Sequence, residues 1–260
     1  MVRSILLLVF LFGLFEVLSQ DNTEFEAGCR LPFYSIAKKR NIDDKCGIEG
    51  TGTSRNTDAN KLQNAAKNNF CATGRTRDMR VRDFVDLHKK VKNAGISYGN
   101  YLAVPKNRSG LQNLGEGNRV RFTGYINHVK YANVSTGESV NCKEKRAWNN
   151  DIHIELTERK YTRNKCKRIS AEVSPHYRPD AWNVTKLGKV EDYKMKIRLT
   201  GHLFFDASHV SCPDHSGDGY RASSWEIHPV YRIEVLVDDQ WKDIHEWDER
   251  RTPHDEDENS

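Results

Sequence analysis

From Arg119 onward, apolar and polar residues alternate over short runs: Val120, Phe122 and Ile126; Ile152, Ile154 and Leu156; Ile197, Leu199 and Leu203; Ile233 and Val235. A two-residue period belongs to strands with one buried face, so this half of the chain is expected to be mainly β. Two runs resemble each other, Val120-Arg121-Phe122-Thr123-Gly124-Tyr125 and Ile197-Arg198-Leu199-Thr200-Gly201-His202, and each holds an internal glycine. Glycine inside a strand marks a bulge or a sharp bend, the device by which small barrels turn their corners. Between these runs, Pro175 and Pro179 interrupt regular pairing. About five bent strands, with an irregular or short helical element before the fourth, predict a small Greek-key barrel of the OB type over residues 119–245.

Residues 20–118 lack that alternation. Asp58 is placed to cap a short helix reaching Asn69, and Asp83 to cap another reaching Asn93 with Phe84, Leu87 and Val91 at helical spacing. This region reads as a short disulfide-stapled helical N-terminal cap on the barrel. Residues 1–19 have the form of a secretory signal peptide: Arg3 precedes an apolar run from Ile5 to Phe15, and Val17 and Ser19 suit a cleavage site. No later stretch approaches the roughly twenty apolar residues that a membrane helix needs. The expectation is a secreted, extracellular protein.

Export changes how the six cysteines read. Cys29, Cys46, Cys71, Cys142, Cys166 and Cys212 are an even set without a C-x-x-C pair, which favours disulfides over a zinc–thiolate centre. Proximity in sequence suggests Cys46 with Cys71 and Cys142 with Cys166, among fifteen possible pairings. Asn107, Asn133 and Asn183 stand in glycosylation acceptor triplets. The formal charge is +5, and because Asp255, Glu256, Asp257 and Glu258 cluster in the last seven residues of an acidic C-terminal tail (246–260), the chain before residue 254 carries about +9. That balance is compatible with an anionic partner.

The candidate chemistry lies on the strands. In Asp151-Ile152-His153-Ile154-Glu155, the two acids and the histidine share one strand face while the isoleucines share the other. Glu226 and His228 repeat the arrangement, and Asp206 and His209 follow the apolar run ending at Phe205. His153, Glu155, Glu226 and His228 are therefore candidate catalytic acid/base residues, and His153, Asp206, His209 and His228 are candidate ligands of a divalent metal such as Zn or Mn. The bland alternative is cross-strand hydrogen bonding by the histidines, with each glutamate paired to Arg or Lys.

The segments Gly137 to Cys142, Asn150 to Ile154, Thr200 to Asp206 and Ser224 to Val230 (GESVNC, NDIHI, TGHLFFD and SWEIHPV) together resemble a family of uncharacterised secreted bacterial-type proteins. The resemblance implies an OB-like barrel and supplies no substrate. OB barrels bind single strands through a basic groove and stacking aromatics. Arg159, Lys160, Arg163 and Lys165 with Tyr161 are accordingly candidate contacts to nucleic acid or another anionic polymer. Two functions follow: a metal-assisted hydrolase acting on such a polymer, or a non-enzymatic extracellular binding module using the same face.

Overall fold

A computed structural model describes residue 42 and residues 44–53, 55–214 and 221–250. The signal segment, Cys29 and residues 251–260 lie outside the described residues. Helix α1 (Thr57–Lys67) leads to strand β1 (Thr73–Met79), helix α2 (Val81–Asn93) and the short α3 (Ser109–Asn113). Strands β2 (Asn118–Tyr131), β3 (Ile152–Thr157) and β4 (Ile169–Val173) follow, then helix α4 (Val184–Asp192), β5 (Lys196–Phe205), β6 (Trp225–Val237) and β7 (Gln240–Asp243).

Five of these strands close into a barrel. The order is β2-β3-β4-β6-β5, and β5 pairs back onto β2. The β4–β6 pairing is parallel and the other four barrel pairings are antiparallel. β1 extends the sheet beyond the barrel by pairing parallel to β2, and β7 pairs with β6. The alternating apolar residues turn inward: Val120, Phe122, Ile152, Ile154, Leu156, Ile197, Leu199, Ile227 and Ile233 are fully buried in one core. Burying such a side chain is worth about 1.5–3 kcal/mol relative to exposure, which locks the strand register.

The two glycine-containing runs turn out to be neighbours. Val120 pairs with Gly201 and Gly124 with Ile197 in the β2–β5 ladder. A Cβ on Gly124 would lie 2.3 Å from the Thr157 carbonyl oxygen, and one on Gly201 would lie 2.5 Å from that of Pro229. Only glycine permits those approaches, and the β5–β6 ladder shifts register on both sides of Gly201.

Several expectations change. α1 begins at Thr57 after Asn56, so Asp58 falls in the first turn instead of capping. α2 begins two residues before Asp83, whose carboxylate reaches back to the Arg80 amide as the third residue of a capping box. Strands β1 and β4 escaped the pattern reading because β1 is mostly exposed and every residue of β4 is buried. Neither alternates. The observed disulfides are Cys46–Cys142 and Cys166–Cys212, in place of Cys46–Cys71 and Cys142–Cys166. Cys71 is also disulfide-bonded. Trp247, inside the expected acidic tail, is buried and packs edge-on against Tyr193. Among the described residues, no helix is long and apolar enough to cross a membrane.

Candidate functional site

The strand alternation that buries Ile152, Ala171 and Ile227 turns Asp151 and His153, Glu172, and Glu226 and His228 to the opposite face. β3 and β6 do not pair with each other; β4 lies between them, with His153 opposite Glu172 and Ala171 opposite Ile227. Glu172 therefore occupies the centre of the face. His228 Nδ1 lies 2.9 Å from Glu172 Oε2 and 3.4 Å from Glu226 Oε1, while Nε2 lies 3.6 Å from Asp151 Oδ2. His153 Nε2 is 3.3 Å from Ser170 Oγ and 4.0 Å from Glu172 Oε1.

The cluster is closed over by α1. Lys67, in the last turn of that helix, brings Nζ to 3.6 Å from Glu172 Oε2 and 5.7 Å from the centre of the Phe204 ring. Arg221 bridges on the other side, 2.6 Å from Glu226 Oε2 and 3.1 Å from Asp206 Oδ2. Four acids here, Asp151, Glu172, Glu226 and Asp206, face Lys67, Arg221, His228 and His209. Burial by itself would lower the His228 pKa, but the Glu172 and Asp151 charges override it and raise it to about 10. Burial likewise works against the charge on Glu172, and Lys67 and His228 overcome it, holding that carboxyl well below its usual range. Asp151 goes the other way, pushed up first by burial.

Satisfaction of this cluster is incomplete. Asp151 Oδ2, Glu172 Oε2, Glu226 Oε1 and both ring nitrogens of His228 are buried without an aligned hydrogen bond. One ligand atom each from Asp151, Glu172 and His228 fall within 4.8 Å of one another. Those three groups could hold a metal ion. An ion would have to displace the His228 proton, because a metal ligand must be a neutral imidazole.

Above the cluster opens a polar cleft of about 220 Å³, walled by Lys67 and the amides of α1, by Glu138, Ser139 and Lys143, and by Ser208 and His209. Glu138 connects it to the buried face, accepting from the Asp151 amide and the Asn141 side chain at 3.4 Å each. Burial, then the Asp151 and Glu172 charges, raise the Glu138 pKa to about 8.

The residues singled out in the sequence are thus divided among several places. His153, Glu226 and His228 belong to the buried cluster. Glu155 does not: it pairs with Arg168 at 2.6 Å. Asp206 is fixed by Arg221, Ser208, Gln63 and His209, so His153, Asp206, His209 and His228 are not one ligand set. Arg159, Lys160, Tyr161, Arg163 and Lys165 are exposed in the connection between β3 and β4. The six residues of β3, about 20 Å at 3.3 Å per residue, separate that connection from Asp151. Sequence reasoning missed Glu172, Lys67 and Arg221 and left Glu138 without a role. Glu138 stood inside a quoted motif; the other three carried no local signal.

A second histidine cluster is structural. His88 is fully buried, with Nε2 2.6 Å from Asp214 Oδ2 and 3.3 Å from Ser211 Oγ, while Nδ1 accepts from the Ser224 amide. Serine and aspartate meet the same nitrogen, so this is no nucleophile relay. Burial lowers the His88 pKa, and the Asp214 charge opposes without reversing it. Neutral His88 therefore stabilises the fold fully above the unfolded value of about 6.5, and the contribution is lost as pH falls below it. Denaturant unfolding between pH 7 and 5 should show stability declining, with a shallower decline in His88→Gln. Identical slopes would remove His88 from the acid sensitivity.

The chain matches no family model, no curated protein and no solved structure.

Proposed function

We propose that this is an exported OB-type barrel protein with a metal-assisted hydrolytic site for an anionic substrate. The carrying observation is the convergence of Asp151, Glu172 and His228 with buried, unaligned polar atoms beneath an open polar cleft. Such an arrangement is hard to explain by stability, because replacing buried charges with apolar residues is often neutral or stabilising. Buried, charge-shifted groups next to a cleft are what functional sites require.

The strand order supports the same reading. A barrel running β2-β3-β4-β6-β5, with β4 and β6 parallel and α4 between β4 and β5, has the connectivity of an OB barrel. That architecture carries ligands on its second and third strands and on the loops after its first and fourth. Here these are β3, β4 and the connections 132–151 and 206–224, which contribute Glu138, Ser139, Ser208 and His209 to the cleft.

Asp151, Glu172 and His228 would hold the ion, a carboxylate–imidazole set suited to Zn or Mn. A bound ion supplies polarisation of a phosphoryl or acyl oxygen and a water of lowered pKa. Lys67 and Lys143 favour an anionic substrate in the cleft. An anionic polymer such as nucleic acid would reach the cleft separately from the basic β3–β4 connection, some 20 Å away along β3. The second reading, a binding module without chemistry, is favoured by one observation: the charges around His228 balance without an ion.

Metal content of chelator-free protein, with equilibrium dialysis against Zn and Mn, tests the proposal alongside hydrolysis of phosphodiester and carboxylate ester substrates. The expected result is one divalent ion per chain, lost in Glu172→Gln, and metal-dependent turnover. A parent protein that binds no divalent ion at millimolar concentration would sink the metal reading and leave the binding module.

A further inference from the structure

His209 stands apart from the buried cluster and differs from the other histidines around it. It lies at the rim of the cleft with its side chain 61% exposed, yet one nitrogen is fixed: Nδ1 is 2.6 Å from Asp206 Oδ2. Asp206 is 2% exposed and is itself held from several directions. Its Oδ1 accepts from the Ser208 amide at 3.1 Å, the Ser208 hydroxyl at 2.6 Å and Gln63 Nε2 at 3.4 Å, and its Oδ2 accepts from Arg221 Nη2 at 3.1 Å. A carboxylate locked this firmly sets both the tautomer and the ring orientation of its histidine. Nδ1 carries the proton toward Asp206, which leaves Nε2 as the exchangeable position on the cleft side.

We propose that His209 is the catalytic acid of the cleft, donating its Nε2 proton to the oxygen that leaves an ester of an oxyanionic substrate, with Asp206 as its positioning residue. The inference rests on the reading of the cleft as a substrate site. In the step, water oxygen bonds to the phosphorus or carbonyl carbon and the bond to the leaving oxygen breaks. The leaving oxygen keeps that electron pair and takes the Nε2 proton. The proton released by the attacking water passes to solvent, which later reprotonates the imidazole. The Asp206 charge and hydrogen bond favour the imidazolium, against burial and the Arg221 and Lys67 charges. Glu138, Lys143 and Tyr101 are the other ionisable groups lining the cleft. Lys67, Lys143 and the imidazolium together suit a substrate with a phosphate or carboxylate group.

The test compares esters of the same acid with poor alkyl and good nitrophenyl leaving groups, in the parent and in His209→Gln. General acid catalysis contributes about 10²–10⁴-fold, so the variant should lose about that factor on the alkyl ester and at most about tenfold on the nitrophenyl ester. The alkaline limb of the parent's pH–rate profile should also be absent in the variant. Equal losses on both esters would overturn the assignment. Phosphate and carboxylate esters run as separate arms identify the substrate's acid. Should the parent hydrolyse none of them, the hydrolytic reading fails, and nitrogen NMR of His209 with inorganic phosphate decides the inference alone. A protonated Nδ1 in the neutral ring and an Nε2 resonance shifted by phosphate keep His209 as the proton donor to a bound oxyanion; the reverse tautomer, or no phosphate response, overturns it. Replacement at this exposed rim position leaves Asp206 with Arg221, so loss of fold is not expected to obscure the result.

Discussion

His228→Ala should destabilise the protein by about 3–5 kcal/mol, because it leaves buried charges without their partner. In the parent, one imidazole ring separates Asp151 from Glu172 and Glu226. Its removal leaves those carboxylates with only Lys67 and Arg221 as charge compensation, and Asp151 and Glu226 are fully buried. For a domain of this size each kcal/mol moves the midpoint by about 2–4 °C, so the expected drop is about 6–20 °C. Asp151→Asn is the informative contrast. Burial already disfavours the charge on Asp151, so a neutral isostere should cost far less than the histidine change. The proposed metal site separates the roles further: a divalent ion that binds the native state there should raise the parent's midpoint as its concentration exceeds Kd, and neither variant should show that rise. Thermal unfolding of all three proteins, in chelator and in excess Zn or Mn, provides the measurement. A His228→Ala protein within about 1 kcal/mol of the parent would show that the cluster is not held as a charge network.

Arg108→Met should cost a comparable amount, about 3–5 kcal/mol, for a related reason: it too breaks a buried ion pair. Arg108 is 3% exposed and grips Glu116 with two nitrogens, Nε at 2.8 Å from Oε2 and Nη2 against Oε1. The same guanidinium donates to Gln63 Oε1 at 3.1 Å and to the Phe205 carbonyl at 2.6 Å, and lies over the Phe204 ring. Gln63 in turn receives the Ala207 amide and donates to Asp206. One side chain thus ties α1, the end of β5 and the segment carrying Asp206 and His209. Methionine fills much of the volume but leaves the Glu116 carboxylate buried beside the Phe205 amide alone. The double variant Arg108→Met, Glu116→Gln removes that charge and should recover at least half of the loss in urea unfolding. No recovery would mean that the packing over Phe204, not the ion pair, carries the stability.

Much of the fold was legible because a strand with one buried face writes its period into the chain. Ile152, Ile154 and Leu156 identified β3 and its polar side together, and the glycine inside the Ile197 run marked an irregularity that the β5–β6 ladder shows at Gly201. β4 left no such trace, since both of its faces are covered. With it went Glu172, the residue on which the buried cluster is centred. The cysteine pairing failed on a similar ground. Closing a loop costs only about 0.6 kcal/mol more for each doubling of its length, so nearness in sequence is a weak guide, and Cys46 reaches Cys142 across 96 residues.

The sequence by itself determined which side chains share a face: Asp151 with His153, and Glu226 with His228. Backbone geometry within a strand fixes that, with no reference to the rest of the molecule. Only the tertiary structure decided which faces meet. Barrel closure set β4 between β3 and β6, the docking of α1 brought Lys67 over Glu172, and the segment after β5 buried Asp206 against Arg221 and set His209 on it at the cleft rim. These are contacts between residues far apart in the chain, selected by the burial of the apolar faces as a set. The charged groups on the outer sides were carried into contact by that packing, and no local pattern among them records it.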